Sequence, residues 1–95
     1  MLTLCVLLYA VPGAELELAA YEDQVLALLP AHGASVRSRV RAQQPRAGPY
    51  EVHVLEFPDE RALDAYMADP ARVARADQRD RAIARTEVVP VDVLG

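Results

Sequence analysis

The chain opens with Leu2-Thr3-Leu4-Cys5-Val6-Leu7-Leu8-Tyr9-Ala10-Val11, and Pro12-Gly13 ends this run. The run is apolar at odd and at even positions alike. Because successive side chains of a strand point to opposite faces, this pattern is typical of a strand buried on both faces. The segment from Tyr50 to Phe57 has the same character. We therefore predict two central strands, and the pattern leaves open which face of each strand packs against helices.

The segments between these strands predict two helical regions and two outer strands. The first helix covers Ala14 to Leu29, with large apolar residues three and four positions apart, and Pro30 and Gly33 end it. A half-exposed edge strand follows, in which Val36, Ser38 and Val40 alternate with Arg37, Arg39 and Arg41. A loop covers residues 43–49 and leads into the second central strand.

After the second central strand, Pro58 ends the strand and Asp59 can cap the helix that follows. Pro70 kinks or interrupts this helix, and Ala71 to Arg85 continues as a polar surface helix with Val73, Ala76 and Ile83 on its buried side. Thr86 to Leu94 is rich in valine and predicts the final strand. Pro90 places it at an edge or a bulge, because proline has no amide hydrogen for a ladder.

The order of these elements, βαββαβ, predicts an α+β ferredoxin-like fold over residues 1–95 as one domain, with a four-stranded antiparallel sheet. Two helices cover only one face of such a sheet. The other face would expose the apolar side chains of both central strands, and a monomer rarely tolerates so large a patch. We therefore expect a homodimer that joins two sheet faces, a dimeric α+β barrel.

Composition narrows the classes of function. The 95 residues are 53% hydrophobic and carry 14 acidic and 10 basic residues, all of the latter Arg, for a net charge of −4. This balance argues against a nucleic-acid or membrane surface as partner. Cys5 is the only cysteine, so no internal disulfide can form, and we expect it to act as a small hydrophobic residue. We expect no metal and no bound cofactor, since the sequence has no glycine-rich phosphate loop and no cluster of metal ligands.

The apolar opening also admits a second interpretation, a secretory signal peptide, because small residues follow it. No Lys or Arg precedes the run, and it is shorter than the ~20 residues that span a bilayer. We expect a structural strand and a cytoplasmic protein.

His53 is the candidate catalytic residue, because an imidazole can both take and give a proton near neutral pH. Arg37 and Arg39, with Arg41 on the same predicted face, could hold an anionic ligand in a forked contact. Tyr9 and Tyr66, with Tyr21, could form the aromatic wall of a pocket. Each has a structural alternative: a histidine satisfied within the core, a solvated strand face that discourages pairing, and core packing of the tyrosine rings. We expect Glu56 to pair with an arginine.

The run Leu55-Glu56-Phe57-Pro58-Asp59-Glu60-Arg61-Ala62-Leu63-Asp64-Ala65-Tyr66-Met67-Ala68-Asp69-Pro70 resembles the strand-to-helix passage of the DUF1330 family. Tyr21, the segment 31–34 and Arg79 or Arg81 are similar in placement. The small antibiotic-biosynthesis monooxygenases and the YCII and EthD-like proteins share the outline. The chain departs from the family at Arg37-Ser38-Arg39, where many members carry Arg-Gly-Gly, and it lacks the Asn and Trp residues that the cofactor-free monooxygenases use.

The resemblance implies a dimeric α+β barrel of uncharacterised activity. Together with His53 and the arginines it suggests a cofactor-free enzyme of the oxygenase or isomerase type, acting on a small anionic or aromatic molecule held between sheet and helices. Two alternatives stay open, a non-catalytic small-molecule binding protein and a dimeric interaction module.

Overall fold

The computed structural model describes residues 1–44 and 47–95, and these form a four-stranded antiparallel sheet with helices on one face. The strands lie in the order β2-β3-β1-β4. Their bounds are Leu2–Ala10 for β1, Ser35–Arg41 for β2, Glu51–Phe57 for β3 and Ile83–Pro90 for β4. The helices are α1 (Glu15–Leu26), α2 (Glu60–Met67), α3 (Pro70–Val73) and α4 (Ala76–Ala82), with a short 3-10 turn at Leu29–His32. The predicted ferredoxin-like order, with the two apolar strands at the centre, is confirmed.

The strand alternation shows which face meets the helices. On β3, Leu55 and Phe57 are buried while Val52 and Val54 are half-buried. The register places Leu4 of β1 opposite Leu55. The helix-facing side of the two central strands therefore carries Leu4, Val6, Leu8, Glu51, His53, Leu55 and Phe57. The opposite side, which we call the open face, carries Cys5, Leu7, Tyr9, Val52, Val54 and Glu56.

The interior is built from two clusters of buried side chains. One contains Leu29, Phe57 and Tyr66, and the other contains Leu8, Leu18 and Ala82. Val6 packs against both clusters. The core is therefore divided along the sheet, which matters for the site described below.

Two local features fix the ends of the helices. The Asp59 side chain accepts a hydrogen bond from the Ala62 amide at 2.9 Å, so the predicted cap of α2 is confirmed. Gly33 ends the 3-10 turn with φ at +69°, a conformation that L side chains rarely adopt. A Cβ at this position would also lie 3.1 Å from Pro58, so both backbone and space favour glycine.

The last third of the chain differs from the prediction. The surface helix predicted over 71–85 is two short helices, α3 and α4, and Val73 is 56% exposed rather than buried. The final strand begins at Ile83, not Thr86, because the long strand β1 needs partners as far as Ala10. Pro90 does lie on an edge strand, as predicted.

Strand β2 is an edge strand, as predicted, but its arginines do not share one face. The register with β3 shifts between Val36 and Ser38, which marks a bulge around Arg37. Arg39 pairs with His53 on the helix-facing side, whereas Arg37 approaches Glu56 on the open face. Pro45 and Arg46 of the predicted loop lie outside the described residues. Within residues 1–44 and 47–95, no helix has the length and apolar character needed to cross a membrane.

Candidate functional site

A cavity of about 300 Å³ lies between the sheet and the helices. Its wall is largely apolar, formed by side chains of the two core clusters and by Val25, Leu63 and Ile83. A few polar side chains interrupt this wall, which is the usual make-up of a small-molecule site. They are Tyr21, Glu22, His53, Asp64, Tyr66, Arg72, Arg79 and Thr86.

Glu51 anchors one end of the polar network although it does not line the cavity. Its side chain is fully buried on β3 and accepts hydrogen bonds from Arg39 Nε at 2.9 Å and from Arg41 Nη2 at 2.7 Å. His53 Nε2 lies 2.7 Å from its Oε1. Burial alone would raise the pKa of Glu51, but the hydrogen bonds from His53, Arg39 and Arg41 outweigh it and lower the pKa to about 2.

His53 is held in one orientation by this carboxylate. Because Glu51 is ionised at neutral pH and can only accept, His53 Nε2 carries the hydrogen and donates it. His53 Nδ1 then faces Glu22 Oε1 at 3.8 Å. The imidazole is 1% exposed, so its second nitrogen faces the protein interior.

Glu22 is the residue that the sequence analysis missed. It lies on α1 four residues after Leu18 and is 6% exposed, surrounded by the apolar stripe of the helix. Burial raises its pKa to about 7, against the opposing effect of His53 and with a further rise from Glu51. A carboxyl with this pKa can either give or accept a proton near neutral pH.

Arg72 and Arg79 lie toward the outer part of the cavity. Both also line a second pocket of about 310 Å³, together with Tyr21, Met67, Val73 and Ala76. Glu22 and His53 line the first cavity but not this second pocket. Met67 is 48% exposed, so this shared region is where the cavity approaches the surface.

The structure brings together two of the five candidate site residues, which were His53, Arg37, Arg39, Tyr9 and Tyr66. His53 and Tyr66 line the cavity, and the Tyr66 hydroxyl donates to the Val25 carbonyl at 3.2 Å. Burial raises the pKa of Tyr66 to about 12, so this hydroxyl stays protonated. Tyr21 also lines the cavity.

The other three residues lie elsewhere. Tyr9 is on the open face, where its hydroxyl donates to Glu87 at 2.6 Å, so the expected convergence of Tyr9 with Tyr21 and Tyr66 is wrong. Arg37 lies 3.6 Å from Glu56, the ion pair expected for that glutamate. The expectation that Arg37 and Arg39 share a face is wrong, because the bulge turns Arg37 to the open face.

Arg39 is on the helix-facing side but is already occupied. It binds Glu51, donates to Asp23 at 2.7 Å and contacts the Ala19 carbonyl. A ligand role for Tyr9, Arg37 or Arg39 stays a prediction. Within residues 1–44 and 47–95, no three His, Cys, Asp or Glu side chains form a group that could hold a metal ion.

No protein-family model and no curated protein matches this sequence. Solved structures with the same fold do match. An antibiotic biosynthesis monooxygenase is 16% identical with a TM-score of 0.76, and the match covers 100% of both chains. A dabb-family protein with a ferredoxin-like fold from Mesorhizobium loti is 19% identical with a TM-score of 0.68, covering 99% of this chain and 97% of that one.

A dimeric protein of unknown function with a ferredoxin-like fold, from Bacteroides fragilis, is 16% identical with a TM-score of 0.70, covering 97% of this chain and 95% of that chain. At these identities the likeness shows the fold alone. The chain is therefore a ferredoxin-like α+β protein with a cavity between sheet and helices, and its chemistry has to be argued from its own residues.

Proposed function

We propose that this protein is an enzyme that transfers protons on a small molecule bound in the cavity, without a bound cofactor. Glu22 and His53 are the acid and base. The observation that carries the proposal is the placement of a buried carboxyl and a buried imidazole 3.8 Å apart, facing an apolar cavity of about 300 Å³. This volume is at the lower end of the ~300–1,000 Å³ found for ligand pockets.

Glu51 supports this chemistry as a positioning residue. It keeps the hydrogen of His53 on Nε2, so that Nδ1 is available toward Glu22 and the cavity. A proton taken from a substrate by Glu22 can be relayed to His53 Nδ1, and the imidazolium would then be stabilised by the Glu51 carboxylate. The site can therefore remove a proton at one atom of a substrate and return one at another.

The reaction type follows from what the deprotonated substrate does next. An enolate that regains its proton at another atom has been isomerised. An enolate or phenolate that instead gives two electrons to dissolved dioxygen forms a C–O bond at carbon. The resulting peroxide takes a proton from the acid of the site, and loss of water leaves a carbonyl group. The overall similarity to a structure described as an antibiotic biosynthesis monooxygenase supports including the second outcome in the proposal.

Membership of a DUF1330-like family and assembly as a homodimer belong to the same proposal. The first is supported by the run from Leu55 to Pro70. The second is supported by apolar side chains that extend the open face onto the edge strands, and by the dimeric state of one structural neighbour. Val40 pairs with Val52 and is 56% exposed, and Val89 pairs with Cys5 and is 46% exposed. We also retain the expectation of a cytoplasmic protein.

A non-catalytic small-molecule binding protein is the second candidate. It is favoured by the same cavity, because an apolar pocket with a few polar groups needs no proton transfer to bind a ligand. Conversion of a bound molecule to product would favour the enzyme, and binding without product would favour the binding protein.

The test uses phenylpyruvate as an enolisable probe and 4-hydroxyphenylacetate as a hydroxyaromatic probe. Uptake of solvent deuterium is followed by NMR, and dioxygen consumption is followed with an oxygen electrode. We expect the wild type to accelerate one of these processes over buffer. We expect Glu22→Gln to reduce that rate by about 10²-fold or more, the usual contribution of a general acid or base.

Glu17→Gln is the matched control, because Glu17 lies on the same helix but is exposed. It should keep the wild-type rate. If neither probe reacts faster than in buffer, or if Glu22→Gln is as active as the wild type, the proposal is wrong. Binding of a probe without reaction would then favour the second candidate.

A further inference from the structure

Arg72 differs from the arginines of the polar network in lacking an acceptor for its inner nitrogen. Its Nε is buried and has no hydrogen-bond partner among residues 1–44 and 47–95. Its Nη1 makes one long contact, 3.4 Å, to the Met67 carbonyl. Leaving a buried donor unpaired costs free energy, so native proteins rarely do so.

Several other arginines of the chain have acidic partners. Among those without one in the described part of the chain, Arg61 and Arg81 are exposed and Arg75 donates to Gln24. Arg39 and Arg41 share Glu51, Arg37 lies near Glu56, and Arg79 pairs with Asp80. The described residues provide no salt-bridge partner for Arg72. Its positive charge is therefore not neutralised within the described part of the chain.

The guanidinium of Arg72 is also held in a defined position. Its central carbon lies 5.3 Å from the centre of the Tyr66 ring, within cation–π range. Tyr66 is itself fixed by the hydrogen bond from its hydroxyl to the Val25 carbonyl. A cation fixed at the wall of an apolar cavity is well suited to a planar anion, which can accept from two donors of one guanidinium.

The two ends of the cavity therefore differ in chemistry. Arg72 and Arg79 line both the cavity and the second pocket, whereas Glu22 and His53 line the cavity and not the second pocket. A molecule that filled the cavity would place an anionic end outward and an apolar body and reacting atom inward.

We propose that the cavity binds a small carboxylic acid with an apolar or aromatic body, and that Arg72 is the residue that binds its carboxylate. The inference rests on the proposed function in taking the cavity as the ligand site. It adds the substrate class and a binding residue that the sequence analysis did not identify.

The experiment compares acids with their amides, which have nearly the same shape and no charge. Phenylacetate and 3-phenylpropionate are titrated against phenylacetamide and 3-phenylpropionamide by calorimetry or NMR, at millimolar concentration. The wild type should bind at least one acid about 10-fold or more tighter than its amide, as expected for a charge-assisted hydrogen bond. Arg72→Met, which keeps the alkyl stem, should weaken binding of the acid by a similar factor and leave the amide unchanged.

Arg61→Met serves as the control, since Arg61 is exposed on α2. Arg72→Lys keeps the charge but removes the Nε donor, and we expect it to restore only part of the affinity. Equal affinity for acid and amide, undiminished binding by Arg72→Met, or no binding of either acid would overturn the inference.

Glu22→Gln separates this inference from the proposed function. We expect it to bind phenylacetate or 3-phenylpropionate and to lose the reaction with phenylpyruvate or 4-hydroxyphenylacetate. Binding that depends on Arg72 in a protein that catalyses no reaction would leave the inference standing while the proposed function fails. Reaction with phenylpyruvate or 4-hydroxyphenylacetate, together with equal affinity for the acids and the amides, would leave the proposed function standing while the inference fails.

Discussion

Glu22 lies four residues after Leu18 and four before Leu26 on α1, and all three side chains are buried. Glu22 was not among the residues singled out from the sequence. The spacing of four residues would have placed it on the buried stripe, because such residues lie above one another on a helix. The burial could therefore have been predicted, but the proximity of His53 depends on how the helix is set on the sheet.

The raised pKa of Glu22 predicts a pH-dependent stability. In the folded protein the carboxyl titrates near pH 7, and in the unfolded chain near 4.5. The folded state thus binds the extra proton between these values, so stability falls as pH rises from about 4.5 to 7. The groups that act on it are His53 and Glu51 on β3, Arg72 on α3 and Arg39 on β2.

Glu22→Gln should remove this dependence. Urea unfolding at pH 5 and pH 8 should show the variant gaining about 2.5 kcal/mol relative to the wild type between the two pH values. Glu17→Gln should show no such change. A difference between wild type and Glu22→Gln that is the same at both pH values would contradict the burial effect.

Glu51 should have the opposite signature. Its pKa is lowered to about 2, so the stability it contributes is present above about pH 4.5 and is lost as pH falls toward 2. Glu51→Gln should destabilise the protein by roughly 3 kcal/mol at pH 7, and by much less near pH 2. Glu17→Gln, on an exposed carboxylate of α1, is the comparison and should change little. Denaturant unfolding of each variant across this range provides the check.

Among the elements, β2 shows where pattern alone fails. Its alternation of arginines with smaller residues predicted the edge strand correctly, but not the bulge that separates Arg37 from Arg39. A bulge arises from the fit between two strands. The sequence of β2 contains no glycine or proline that would indicate one. Arg72 was not predicted as a site residue for a similar reason, since its position depends on the break between α3 and α4.

The short helix α3 is held in place from the 3-10 turn. His32 Nε2 lies 2.7 Å from Asp69 Oδ2, and the other oxygen of Asp69 caps α3 by accepting from the Ala71 amide at 2.9 Å. The hydrogen bond from His32, and then that from the Ala71 amide, lower the pKa of Asp69. Because α3 carries Arg72, this contact also positions the proposed carboxylate-binding residue.

His32→Ala should loosen α3. Hydrogen exchange measured by mass spectrometry should become faster at the amides of Val73 and Ala74, which bond to Asp69 and Pro70. His32→Gln can still donate to Asp69 and should restore slower exchange. Exchange in His32→Ala that equals the wild type would show that the His32 contact does not hold this helix.

At the scale of the whole molecule, the apolar character of β1 and β3 was enough to predict their central places in the sheet. Because β1 and β3 are apolar on both faces, the sequence did not indicate which face packs against the helices. The strand register and the burial of the side chains identify that face. The helices cover the side that carries His53, so the side that carries Val52 and Val54 forms the open face.

A charge on the open face should prevent dimer formation. Val54 lies between Cys5 and Ser38 in the register, at the middle of that face. We expect light scattering to give a dimer for the wild type and a monomer for Val54→Asp, because the aspartate would be buried without a partner. Val73→Asp, on an exposed helix site, should remain dimeric. A wild type that is monomeric at all concentrations would contradict the proposed assembly.

The most direct test of the proton-transfer site is a pH titration of Glu22 itself, because it requires no knowledge of the substrate. The carboxyl carbon of Glu22 can be followed by ¹³C NMR and assigned by comparison with Glu22→Gln. We expect a midpoint near pH 7, with Glu17 as an exposed reference on the same helix. A midpoint near 4.5, the ordinary value for glutamate, would mean that the cavity holds an ordinary carboxylate and would contradict the proposed chemistry.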